Sequence, residues 1–127
     1  MPSRTKSLLT VSALAELGAG ASLLLAPSLT VELLAGAGLG SATSLLVARV
    51  AGVALLSIGL ICWVERTRNV TAPPVGLVVG LAIYNAAVAA LLADAALVDG
   101  MNGLGLWPTI GLHVVLTIWC AASLRAA

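Results

Sequence analysis

The feature that most constrains this chain is the run Ser44 to Arg66, SLLVARVAGVALLSIGLICWVER, in which Arg49 interrupts an otherwise apolar stretch. A run of this length matches the ~20 apolar residues that cross a bilayer as one helix. A charged side chain in hydrocarbon costs on the order of 2.5–3.5 kcal/mol even on a lenient insertion scale, so Arg49 is expected to have a partner. Three more apolar runs surround it. The sequence therefore reads as an all-α, integral membrane four-helix bundle, with spans near 8–26, 42–64, 75–98 and 107–124 forming a single transmembrane domain over 1–127.

Composition agrees with that reading. Of 127 residues, 61% are hydrophobic and 9% charged, with a mean hydropathy of +1.14. A soluble domain carries about a quarter charged residues, which it needs to cover itself in water. Here the surrounding solvent is expected to be lipid. A net charge of +1 gives no basic face for nucleic acid, so no such partner is expected. Cys62 and Cys120 lie near the ends of two spans, where isolated thiols read as reduced packing residues and not as a disulfide or metal pair.

Arg4 and Lys6 precede the first apolar run, and Ala13-Leu14-Ala15 resembles a cleavage site. Only Leu8 to Ser12 would serve as the apolar core of a signal peptide, which is too short, so the segment is read as a retained first helix. Pro27 stops it. Ser28 to Leu34 is a short amphipathic piece expected to lie along the membrane surface as an interfacial helix, and Gly36, Gly38 and Gly40 end it. Glu65 to Pro74 forms the middle turn. Asp99 to Gly105 forms the last one, and Trp107-Pro108 opens the fourth helix, where proline is tolerated in the first turn.

Positive charge sets the expected orientation. Arg4, Lys6, Arg66, Arg68 and Arg125 all fall on the same side of a four-span layout, while the other two loops offer only Glu32 and Asp99. The chain is thus expected in a bacterial cytoplasmic membrane with both termini inside. Trp63 and Trp119 fall at the inner interface and Trp107 at the outer one. Asn69-Val70-Thr71 matches a glycosylation sequon on the cytoplasmic side and reads as chance. Gly18 with Ser22, Ala48 with Gly52, and Gly76 with Gly80 have the small-residue spacing that lets helices approach closely in lipid.

The intramembrane polar residues are the candidate site. From the ~1.5 Å rise per residue, Asp94 lies roughly 6 Å below the outer end, His113 roughly 9 Å, Arg49 roughly 10 Å and Glu16 roughly 15 Å. The expected arrangement pairs Glu16 with Arg49, joined by Asp94 or His113. Thr109, His113, Thr117 and Cys120 form one stripe on the fourth helix, which should face the bundle interior. On the third helix, Tyr84 shares a face with Gly76 and Gly80, and Asn85 points opposite to Asp94. A pocket is thus expected to hold Tyr84 with either Asn85 or Asp94. One histidine without a second ligand at metal spacing gives no metal site, and no cofactor is expected. No phosphate loop, nucleophile elbow or metal-spaced carboxylate pair is present, so nothing points to an enzyme.

Leu23 to Leu29 (LLLAPSL), Val47 to Trp63 (VARVAGVALLSIGLICW), Tyr84-Asn85 and Leu106 to Leu116 (LWPTIGLHVVL) together resemble small, uncharacterised bacterial four-helix membrane proteins that are DoxX-like in layout. The resemblance covers about Ala15 to Trp119 and implies the four-helix membrane fold, with no activity or catalytic residue. DoxX-like proteins are associated with redox or stress complexes, but this chain lacks a paired-cysteine motif. Leu14-Ala15-Glu16 is also similar to the membrane carboxylate of small multidrug exporters, a family without an arginine opposing it.

Two functions follow as expectations. In the first, Arg49, Tyr84, Asp94 and His113 line an outward-opening site closed below by Glu16, which binds or passes a small polar, anionic or lipid-like ligand, alone or as a homo-oligomer. In the second, the polar groups only lock helices together in a scaffold or assembly subunit.

Overall fold

The structure is a computed structural model describing residues 1–68 and 72–125, so the Asn69-Val70-Thr71 sequon lies outside the described residues. The helices are α1 (Ser3–Leu25), α2 (Pro27–Ala35), α3 (Ala42–Thr67), α4 (Val75–Leu97) and α5 (Leu106–Arg125). By length and composition, α1, α3, α4 and α5 can each cross a membrane. They form a four-helix, multi-pass bundle, and α2 covers one end of it.

Local chemistry sets the boundaries. Pro2 sits at the N-cap of α1, so the helix starts at Ser3 and takes in the polar residues ahead of Leu8. Pro27 ends α1 and opens α2 at a first-turn position, where its missing N–H is no loss. Gly36 closes α2 with φ +82, a left-handed conformation that glycine adopts without a Cβ penalty. Ser41 and Ser44 form a reciprocal cap on α3: the Ser44 N–H donates to Ser41 Oγ at 3.1 Å, and the Ser41 N–H donates to Ser44 Oγ at 3.2 Å. Such a cap satisfies N–H groups that have no partner within the helix.

Two helix pairs make up the bundle, α1 with α3 and α4 with α5, and contacts between the pairs are sparser. Lipid tails are as apolar as leucine, so close backbone packing and hydrogen bonds must hold these helices together. Gly20 and Gly52 provide the close approach between α1 and α3. A Cβ on Gly20 would stand 2.7 Å from the Gly52 carbonyl oxygen, and one on Gly52 would stand 2.8 Å from that of Gly20. Of the three expected small-residue pairs, Ala48 and Gly52 are buried at this seam, whereas Gly18, Gly76 and Gly80 face open space. Spacing identifies a face but not its neighbour, and Gly20 was absent from the expected pairs.

The start of α1 lies beside the end of α5, since Ser3, Arg4 and Ser7 share a surface groove with Val115, Trp119 and Ala122. Near this end Leu8, Leu9, Cys62, Val78, Leu81, Leu116 and Cys120 form the main core cluster. Both thiols are free and buried in it. At the other end α2 docks on the α4–α5 connection, where the Gly105 N–H donates to the Leu33 carbonyl at 2.8 Å. A side chain on Gly103 would run into the Leu33 and Leu34 backbone. The interfacial helix is therefore fastened to the bundle, with Thr30 and Leu34 against a partly open cavity.

Candidate intramembrane binding site

The cavity lies between the two helix pairs and has a volume of about 260 Å³. Leu23 and Leu55 line the α1–α3 side and Val88, Leu92 and Leu112 the α4–α5 side, with Thr30 of α2 at one end. Its polar centre is made by Glu16, Tyr84 and His113. Each reaches it because it sits on the inward stripe of its helix.

Glu16 follows Thr5, Leu9, Ser12 and Ala13 along the buried face of α1 and is only 2% exposed. The Tyr84 hydroxyl donates to its Oε2 at 3.1 Å. No cation stands beside it: among the described residues the ion pair found is Arg68 with Glu65, at the far end of α3. His113 is held from behind. The Asn85 side-chain N–H donates to the Leu81 carbonyl at 2.7 Å, which turns Asn85 Oδ1 toward the imidazole, 2.7 Å from His113 Nδ1. Because that oxygen can only accept, Nδ1 is the donor, and in the neutral ring Nε2 keeps a free lone pair. The Tyr84 and His113 rings meet edge to face, with centroids 5.8 Å apart and planes at 80°.

The sequence-expected residues thus divide. Glu16, Tyr84 and His113 converge, and Thr109 of the expected α5 stripe joins them at the cavity wall. Thr117 bonds its hydroxyl to the His113 carbonyl at 2.8 Å, as membrane threonines commonly do. Arg49 and Asp94 do not converge. Both are exposed on the outer faces of α3 and α4, and neither side chain forms an ion pair or hydrogen bond among the described residues. The expected Glu16–Arg49 pair is therefore corrected. Arg49 has the right depth, but it lies off the buried α3 face that carries Ala48, Gly52, Gly59 and Cys62. Asn85 is satisfied within one chain, by the Leu81 carbonyl and the His113 imidazole.

Sequence reasoning offers Asn85 only as an alternative to Asp94 beside Tyr84, and it leaves Thr30 out of the site. Asn85 could have been found from its four-residue spacing to Leu81, which suits a side-chain bond to the preceding turn, and from its place on the face opposite Asp94. Thr30 gave no such signal. No group of three or more metal-ligating side chains occurs among the described residues. Family models, curated proteins and solved structures give no match to this chain. The site's chemistry must therefore be read from its own atoms: carboxylate and imidazole acceptors and a phenol oxygen, set in an apolar pocket below the ~300–1,000 Å³ of drug-sized ligand sites.

Proposed function

We propose that this chain is a small multi-pass membrane protein that binds, within the bilayer, a small apolar molecule carrying a hydrogen-bond donor or positive charge. The observation that carries this reading is Glu16: a nearly fully buried carboxyl group on a cavity wall, bonded among the described residues by the Tyr84 hydroxyl alone. A buried carboxylate without a cation is costly, and a ligand ammonium group would remove that cost. Its hydrocarbon part would fill the leucine- and valine-lined remainder, and the Tyr84 and His113 rings suit a cation near an aromatic face. The earlier anionic ligand depended on Arg49 and loses its basis with Arg49 outside the cavity.

The orientation that fits the positive-inside pattern puts both termini in the cytoplasm of a bacterial cell and α2 at the outer surface, so the ligand would reach the cavity from the outer leaflet past α2. The DoxX-like resemblance adds a layout and no chemistry.

The test is calorimetric binding to the protein in lipid nanodiscs with three matched probes: hexylammonium, hexanoate and hexanol. Hexylammonium is expected to bind saturably, Glu16→Gln to weaken it by about tenfold or more, and Leu55→Trp, which fills the cavity, to abolish it. Equal or tighter binding of hexanoate would overturn the assignment of charge. Absence of saturable binding by all three would leave the scaffold reading in its place.

A further inference from the structure

Arg49 and Asp94 are two charges on the α2-covered half of the bundle, within α3 and α4, that the cavity leaves unused. Arg49 lies seven residues inside α3, which starts at Ala42, and Asp94 lies three residues before α4 ends at Leu97. At ~1.5 Å per residue they sit roughly 10 and 5 Å from those helix ends. Both ends belong to the side that α2 covers, so the two charges occupy similar levels. Each is exposed and without a side-chain partner among the described residues. Held against lipid tails, both the guanidinium and the carboxylate are unfavourable.

They cannot meet within one chain. Ile58 of α3 borders a groove with Leu77, Gly80 and Tyr84 of α4. Arg49 is nine residues from Ile58, half a turn around the helix, and therefore points away from α4. Asp94 is likewise nine residues from buried Asn85 and points away from the bundle.

We propose that this chain self-associates in the membrane by placing Arg49 on α3 of one copy against Asp94 on α4 of the next. Copies in one membrane share an orientation, so α3 and α4 meet antiparallel and their charged ends face each other. One contact then neutralises both groups. A headgroup phosphate would serve Arg49 alone and would leave Asp94 unpaired. Below Asp94, the exposed α4 face continues through Ala90, Ala87 and Ile83, and below Arg49 the exposed α3 face continues through Val53, Ser57 and Leu60. The alanines allow the close helix approach that packing in lipid requires. Since the two patches differ, the contact is heterologous and repeats from copy to copy, closing as a ring or extending as a row. This inference does not depend on the cavity's ligand.

The experiment uses full-length chains in lipid vesicles, with Cys62 and Cys120 replaced by alanine. Val53→Cys and Ala90→Cys chains keep Arg49 and Asp94 and carry their thiols one turn below them on the exposed faces. Mixed and treated with a short bis-maleimide, they are expected to crosslink to each other and not to themselves. In single-molecule subunit counting, Arg49→Asp or Asp94→Arg alone should lower association by about tenfold or more, and the two combined should restore it. Arg49→Gln and Asp94→Asn provide a milder pair if a reversal lowers the melting temperature. Self-crosslinking of the Val53→Cys chain would indicate a two-fold contact and overturn the proposal. So would monomers at every density, which would assign Arg49 to lipid headgroups, or a charge swap that fails to restore association in folded protein.

Discussion

Asn85 is completely buried because it works in two directions, donating to the Leu81 carbonyl and accepting from His113. Asn85→Ala is expected to strand the imidazole Nδ1–H and to cost about 1–3 kcal/mol, the usual penalty for an unsatisfied buried polar group. Thermal melting in detergent should register the loss, and the nitrogen shifts of the His113 ring should report a released tautomer. A folded variant with unchanged shifts would mean that Asn85 does not set the ring. At this scale the sequence was partly legible. Glu16, Tyr84 and His113 stand out as polar residues in apolar runs, and their depths follow from the helix rise. Depth says nothing about azimuth relative to a neighbouring helix. Arg49 and Glu16 fall at comparable levels yet on faces that do not meet, so depth alone pairs two residues that the helix faces keep apart.

The α1–α3 pair rests on positions where no side chain fits. Gly52→Val would drive a branched side chain into the Gly20 carbonyl and the Leu24 amide, and is expected to separate the helices at a cost of 1–3 kcal/mol or more, as for overpacking generally (about that range). Gly18→Ala and Gly111→Ala meet nothing within 4 Å and should be neutral or stabilising by up to about 1 kcal/mol, since alanine is the better helix former. Melting temperatures of the three variants check the contrast, and equal losses at Gly18 and Gly52 would refute it. The helices themselves were legible in detail, because apolar runs bounded by proline, glycine and charge leave little freedom. The seating of α2 was less so. Its amphipathic pattern suits a bilayer surface and a bundle end equally well, and only the Gly105–Leu33 bond and the space reserved at Gly103 decide between them.

For the whole molecule, the positive-inside pattern makes a prediction that single-cysteine labelling can check in a background without Cys62 and Cys120. Cysteines at Gly38 and Leu104 should react with an impermeant maleimide in intact cells, and those at Ser3 and Arg68 only after permeabilisation. Labelling of Arg68→Cys in intact cells would invert the topology. The division into two helix pairs also bears on how the protein is made. A ribosome delivers α1 and α3 first, and their glycine seam can close as soon as both are in the bilayer. Glu16 then faces the lipid, because Tyr84, its hydrogen-bond donor, lies 68 residues later in the chain. During synthesis there is thus an interval in which a half-built protein exposes a naked carboxyl group to hydrocarbon. That interval ends when α4 arrives and brings the Tyr84 hydroxyl to Glu16.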